Sequence, residues 1–302
     1  MTARGAKFAE DVSRNPGRDW KKCEINEEWT MLGYSRAADR TFFSVPTLRM
    51  GLDAGGCRGR QPDFVFLTHS HIDHSADLWY MAQNENTTIF MPNEVVPFAC
   101  KNIVASWELN LCMDLGVHHK LPIKGVAAGE THKWGKKDKF LVTVFDCIHK
   151  VPTVGYAFSE PRSKLKEEYQ GKPGKELGQL RKEGVEISEI YIHKMFVYMG
   201  DTAATVFDIN PWLFDYPTII TECTFFKDEH ERAERDGHTH WDSLMPHILA
   251  HPNVKFILIH FSLRYSVEEV NEFFADLANR EENPIDISNV TIVVGDGSMG
   301  KQ

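Results

Sequence analysis

Between Thr68 and His74 the chain reads THSHIDH, so three imidazoles and a carboxylate fall within six residues. Hydrolases that use two metal ions need several neutral imidazoles, one or two carboxylates and a bridging oxygen ligand, with the ions roughly 3.5 to 4 Å apart. On an extended segment His69 and His71 lie two apart and point the same way, while Asp73 and His74 at the following turn can face a second ion. Three more candidates stand apart from this cluster, each at the end of an apolar run: His149, Asp201 and His260. A solvated loop can be histidine-rich by accident, and a lone histidine near a strand is usually a satisfied core or surface residue. Here the cluster and three separate strand-end residues would all have to be accidents.

Such residues need strands that end beside one another. DFVFL (63–67) is a short β-rich run bounded by a proline and the polar cluster, which is how a buried strand reads. Apolar spacing over 76–81 then suits a helix, so the histidines fall between a strand end and a helix start, where ligand groups collect in layered α/β folds. Residues 40–53 alternate as a hairpin, 87–92 read as a strand and 93–107 as a helix with an apolar stripe at Val95, Val96, Ala99, Ile103 and Trp107. FLVTVFDC (140–147) delivers His149, and a second strand picks up near Val154. Runs 195–202, 217–225 and 254–262 each end in Asp, Glu or His, and NVTIVVGDG (289–297) closes the series. Residues 1–30 carry no clear period and are expected to be an N-terminal extension or edge structure before one domain at 31–302. Residues 160–187 lose apolar content and gain Lys, Glu and Gly, the mark of an inserted, exposed arm.

The chain's 302 residues, 42% hydrophobic and 25% charged, are those of an ordinary globular protein. Its net charge of −9 argues against a generally basic surface for nucleic acid but leaves room for a local basic patch. The six cysteines are scattered without a CxxC pair, which points to a reducing compartment. No apolar run approaches the roughly 20 residues of a membrane span, and the N-terminus lacks the apolar core of a secretory signal. Cytosol or nucleus is the expected location. The Arg and Lys of the first residues give weak support for mitochondria, against Glu10 and Asp11.

THSHIDH matches the signature of the metallo-β-lactamase superfamily, and the later motifs resemble ribonuclease Z, the tRNA 3′-processing endonucleases, over residues from about 30 to 270. The resemblance implies a mixed α/β (α+β) fold, an αββα sandwich of the metallo-β-lactamase type. It also implies two divalent ions, zinc first, with manganese or iron as alternatives. FDCIHKVPTVGYAF resembles the segment carrying the third metal-binding histidine, implying His149, and YMGDT implies Asp201 as the bridge. TECTFFKDEHERAERDGHTH implies functional roles for Glu222 and His238. ILIHFSLRY implies His260 as the remaining ligand, with Ser262, Arg264 and Tyr265 beside it. On this pattern His69, His71 and His149 hold one ion, and Asp73, His74 and His260 the other. Asp73 also serves as general base, His238 protonates the leaving 3′ oxygen with Glu222 orienting it, and Arg264 and Ser262 meet the substrate. A metal-bound hydroxide would then cut the 3′ end of a tRNA precursor, leaving a 3′ hydroxyl and a 5′ phosphate.

The resemblance places residues 160–187 at the family's tRNA-gripping arm, although they lack its Gly- and Pro-rich tip. Their Lys and Arg alternate with Glu, so a salt-bridged face and a phosphate-binding patch are both open. One subunit's arm serving another's site, in a homodimer, is equally open. A small-molecule hydrolase on the same scaffold is the competing expectation: a cyclic nucleotide phosphodiesterase, thioesterase or lactonase acting on a small ester or phosphodiester. Glu222, His238 and Arg264 suit a phosphodiester and have no obvious task in thioester cleavage. A non-catalytic partner in RNA processing would have little reason to keep the full ligand set. Spacing alone does not choose between His238 and His240 as proton donor, although the family pattern favours His238. His240 and His247 share a helix face and read as packed or solvated. His118, His119, His132, His193, His230 and His251 read as surface residues.

Overall fold

A computed structural model describes residues 5–12, 20–57, 59–116, 120–280 and 284–295. Two eight-stranded sheets face each other. In the first, spatial order follows chain order: Glu10–Asp11, Lys21–Glu24, Thr30–Arg36, Arg40–Val45, Met50–Leu52, Phe64–Phe66, Thr88–Pro92 and Ile123–Val126. Its pairs are antiparallel up to Met50–Leu52 and parallel from there on. The second begins at Thr131–Trp134 and continues through Phe140–Asp146, Val154–Leu165, Ser188–Tyr198, Thr218–Glu222, Lys255–Ile259 and Val290–Ile292 to Lys7–Phe8. It too is antiparallel first and parallel from Ser188–Tyr198 onward.

Period-two packing explains why the parallel strands read as unbroken apolar runs, since both of their faces are covered. Phe66, Phe90, Ile220, Ile257 and Ile259 point into the space between the sheets, with Phe43, Trp134, Tyr156, Phe158 and Phe196. Val65, Ile89 and Met91 point the other way, onto the helices Leu78–Met81 and Val96–Leu111. Ile219, Phe256 and Leu258 do the same on the far side, against Trp241–Ala250 and Val267–Asn279. The layers are helix, sheet, sheet, helix, as the αββα expectation requires.

Three boundaries differ from the sequence reading. Residues 20–30 are part of the first sheet instead of an extension: Trp20, Cys23, Ile25 and Trp29 are buried, and Cys23 pairs with Met31. Strands Lys7–Phe8 and Glu10–Asp11 join opposite sheets, so the first described segment stitches the sandwich together. The turn expected to precede a helix at 76–81 is itself helical, in two single turns, Ile72–Ser75 and Leu78–Met81, and the first contains Asp73 and His74. The helix expected at 93–107 runs from Val96, beside Pro97 in its first turn, to a left-handed Cys112 just past Leu111.

The arm is a two-stranded ribbon that continues Val154–Leu165 and Ser188–Tyr198 beyond the sheet, in register from Glu160↔His193 to Leu165↔Ser188. A turn at Glu167–Tyr169 and the helix Gly174–Lys182 form its tip. The return strand carries the ribbon past residue 187 because Ser188 to His193 alternate as a strand does, which a composition boundary misses.

Candidate metal centre

The candidate ligands gather where strands run out at one end of the sandwich. His69 and His71 follow Phe64–Phe66, His149 follows Phe140–Asp146, Asp201 follows Ser188–Tyr198, Glu222 ends its strand and His260 follows Lys255–Ile259. Asp53 and His260 take left-handed backbone, with φ of 57° and 64°. That is uncommon outside glycine and persists where the surroundings over-determine it, as at functional sites. Two glycines let the loops close. A Cβ on Gly55 would lie 1.7 Å from the Asp73 carbonyl oxygen, and one on Gly200 would lie 2.3 Å from Thr68 Oγ1.

Asp201 sits between two sets of imidazoles. Its Oδ2 is 3.6 Å from His69 Nε2 and 3.8 Å from His149 Nε2. Its Oδ1 is 3.2 Å from His74 Nε2 and 3.3 Å from His260 Nε2. His71 Nδ1 joins the first set, 3.2 Å from His149 Nε2. Asp73 joins the second, its Oδ2 3.5 Å from His260 Nε2 and fixed by the Ala38 N–H at 2.8 Å. The ligand atoms of His69, His71, His149 and Asp201 lie within 4.8 Å of one another, as do those of Asp73, His74 and His260.

The donor set fits cations. His69 Nε2 and Asp201 Oδ1 are buried without any hydrogen-bond partner, a costly state unless something else occupies them. Burial, then the charge of His74, pushes His69 well below the usual histidine range. Burial also pushes His71 down. Burial acts on His74 in the same direction, yet Asp201 and Asp53 outweigh it and hold that imidazole well above the range. Burial alone would raise Asp73 and Asp201, but the neighbouring histidines outweigh it and keep both carboxyls ionised far into acid. Neutral rings at His69 and His71 beside ionised carboxyls at Asp73 and Asp201 are the protonation states that bind a metal. Divalent ions would take the place of protons, and their binding would release protons.

Beside this set, Glu222 accepts from His238 Nδ1 at 2.9 Å and from the Thr202 N–H at 2.7 Å. Burial lowers the pKa of His238, but Glu222 and then Asp201 outweigh it and raise it to about 9. Nδ1 of His238 lies 3.9 Å from Asp201 Oδ2. Because that nitrogen donates to Glu222, it has no lone pair to offer a metal, and only Nε2 is left to His238 for a metal or a proton, Asp201, His238 and His260 forming a third close group of candidate ligands. His240 is turned away: its Nε2 meets the Lys227 carbonyl at 2.6 Å and its Nδ1 accepts the Asp242 N–H, capping Trp241–Ala250. It also stacks on His230, with ring centroids 3.7 Å apart.

The other residues singled out from sequence lie further off. Ser262 Oγ accepts the Arg264 N–H at 3.3 Å, inside its own turn. Arg264 is exposed, 3.4 Å from Glu229, and lines a cavity of 550 Å³ with Glu229, His230, Arg232 and Arg235. Tyr265 is packed on Phe226, centroids 4.1 Å apart. His247 packs on Phe207 and His251 stacks on Phe214, so both serve packing more than solvent. His132 bonds Glu130, and His193 lies against Trp29. His118 and His119 lie outside the described residues.

Sequence reasoning missed Asp53, Thr68, Tyr198 and Thr224. Asp53 is fully buried and bonds His74 Nδ1 at 2.8 Å, Tyr198 Oη at 2.6 Å and the Thr68 N–H at 2.8 Å. The signal available was an Asp at a strand end just before Ala-Gly-Gly, which reads as an ordinary turn.

Residues 53–261 match the family model described as Beta-lactamase superfamily domain. The chain is 32% identical to tRNase Z TRZ1 of Arabidopsis thaliana over 261 residues, covering 83% of this chain and 92% of that protein. It is 30% identical to the chloroplastic tRNase Z TRZ2 of the same plant, covering 84% and 73%. Among solved structures, the metallo-β-lactamase fold protein YhfI of Bacillus subtilis superposes with a TM-score of 0.53 at 15% identity, over 87% of this chain and 94% of that one, a likeness of fold alone. The matched stretch opens at Asp53 and closes just after His260, enclosing the whole candidate ligand set, and the chain belongs to the β-lactamase superfamily and, within it, to the tRNase Z family.

Proposed function

We propose that this hydrolase is a metal-dependent endoribonuclease that cuts the 3′ trailer from tRNA precursors. The observation that carries the reading is the Glu222–His238 pair beside Asp201, a proton carrier set next to two groups of metal-binding side chains. His69, His71 and His149 would hold one ion, Asp73, His74 and His260 the other, with Asp201 shared between them. Zinc suits a nitrogen-rich set of this kind best, manganese or iron being alternatives. Two such ions, when bound, lower the pKa of a water and offset charge growing on phosphoryl oxygens.

The remaining steps belong to side chains. Asp73 stays ionised and can accept the proton of the attacking water. Against burial, Glu222 raises His238 to about 9 in the metal-free protein and holds its Nδ1–H, which favours a protonated ring. Its Nε2 has no protein partner among the described residues and can give its proton to the leaving 3′ oxygen. Arg264 can meet a phosphate from the rim, with Ser262 shaping its turn. On the arm, Lys166, Lys175, Arg181 and Lys182 form no ion pair among the described residues, whereas Arg162, Lys164 and Lys172 do. Those four cations support an RNA grip. The six cysteines are all free, which supports cytosol or nucleus. No helix among the described residues is long and apolar enough to cross a membrane.

The test is metal content, followed by cleavage of a small aryl phosphodiester and of a tRNA precursor with a 3′ trailer, with Asp73→Ala and His238→Ala alongside. About two ions per chain are expected, with trailer cleavage lost in both variants. Cleavage of the small diester alone would remove tRNA as the substrate, and a chain that takes up no metal would overturn the proposal.

A further inference from the structure

Two of the candidate ligands meet a threonine hydroxyl on their outer side. His69 Nδ1 lies 3.0 Å from Thr68 Oγ1, and His260 Nδ1 lies 3.1 Å from Thr224 Oγ1. Each hydroxyl in turn reaches a buried carboxylate. Thr68 Oγ1 is 3.0 Å from Asp53 Oδ1, and Thr224 Oγ1 makes a short hydrogen bond to Glu222 Oε2. Thr68, Thr224, Asp53 and Glu222 are all buried.

A hydroxyl has one proton, and an ionised carboxylate can only accept. Each threonine must therefore donate to its carboxylate and present lone pairs to the ring. The Thr224 hydroxyl has one other oxygen acceptor, the His260 carbonyl at 3.1 Å, and lies 3.5 Å from His238 Nδ1, whose proton is on Glu222's side; the charged and closer Glu222 takes the Thr224 proton. The ring that faces the lone pairs must then carry its own proton on Nδ1. Its Nε2 is left with a lone pair facing Asp201, at 3.6 Å for His69 and 3.3 Å for His260.

The same two carboxylates also hold one imidazole each without an intermediary, Asp53 holding His74 and Glu222 holding His238. Neither carboxylate is free to turn. Asp53 also takes the Thr68 N–H and the Tyr198 hydroxyl, and Glu222 takes the Thr202 and Thr224 N–H groups.

We propose that Thr68 and Thr224 are positioning residues, each relaying one buried carboxylate to a second imidazole and fixing its tautomer for metal binding. Glu222 then fixes the proton carrier His238 and the ligand His260 together. The proposal rests on the metal-centre reading above and goes beyond it by assigning work to two hydroxyls that touch neither ion nor substrate.

Valine matches threonine in shape and lacks the hydroxyl, whereas serine keeps it. In cobalt(II) titrations of the metal-stripped protein, Thr224→Val should weaken one of the two ions by about 10- to 100-fold, the range for lost outer-sphere partners. Thr68→Val should weaken the other, and both serine variants should bind as the wild type. In proton spectra of the zinc-loaded protein, one imidazole Nδ1–H resonance should shift or vanish in each valine variant and return with serine. Folded valine variants that bind both ions at wild-type affinity, with those resonances unmoved, would overturn the relay. If a valine variant does not fold, the alanine variant at the same position carries the same comparison with serine. A wild-type chain that binds no cobalt or zinc sinks the metal centre itself, a result distinct from failure of the relay.

Discussion

His238 and His240 stand two residues apart in one loop, yet their neighbours give them different work. His240 has both ring nitrogens engaged by backbone groups, while His238 gives one to Glu222 and keeps the other free. Removing the His238 imidazole should lower kcat by about 100- to 10,000-fold, the usual weight of a general acid. His240→Ala should mainly loosen the start of Trp241–Ala250, by about 1 kcal/mol. Steady-state kinetics beside thermal melts separate the two, and equal losses of activity would contradict the assignment. The pKa of His238 also makes a stability claim for the metal-free protein. Its folded value, about 9, lies above the ordinary 6.5. Its stabilisation is therefore complete below pH 6.5 and lost as pH rises through about 9. Melting temperatures of the chelator-treated protein should fall across that window, and more steeply than in His238→Ala. Parallel curves would show that Glu222 does not hold the proton there. The candidate ligands' gathering was legible in sequence because chemistry-bearing residues at the ends of apolar runs are unusual in combination. Asp53 was not, since a single Asp before two glycines looks like any turn and only the burial around it reveals the bond to His74.

At the scale of elements, the strands that carry ligands were readable because both their faces are apolar, while the edge strands were not. Lys21–Glu24 is four residues of mostly polar type, and its membership in the sheet depends on Met31 and Trp29 arriving beside it. The arm was legible as an insertion and illegible as a ribbon, because composition marks where the core stops and not where pairing does. Replacing residues 166–187 with a short turn should leave cleavage of a small phosphodiester within about twofold and raise KM for the tRNA precursor by about tenfold or more, as expected when several phosphate contacts go. A precursor cleaved equally well without the tip would assign the grip elsewhere. Gly200→Ala tests the loop closure. Its Cβ would press on Thr68 Oγ1, so a stability loss of about 1 to 3 kcal/mol is expected, with weaker metal uptake. Denaturant melts and metal analysis of the purified variant check both.

For the whole molecule, the candidate ligands of both sheets gather at one end of the sandwich, where His69 Nε2 and Asp201 Oδ1 are buried without a hydrogen-bond partner. Binding to the folded chain alone should stabilise it by about 3 to 4 kcal/mol when free metal exceeds its dissociation constant by a hundred- to a thousandfold. Chelation should therefore lower the melting temperature, and readdition should restore it. A melt indifferent to chelator would mean that the site is satisfied by protons alone.

His69 to His74 come from the first sheet's loops, whereas His149, Asp201 and His260 come from the second's. Neither half carries a complete centre. During synthesis the THSHIDH segment leaves the ribosome nearly two hundred residues before His260 can join it. A growing chain therefore lacks the complete candidate ligand set until almost the whole sandwich has closed.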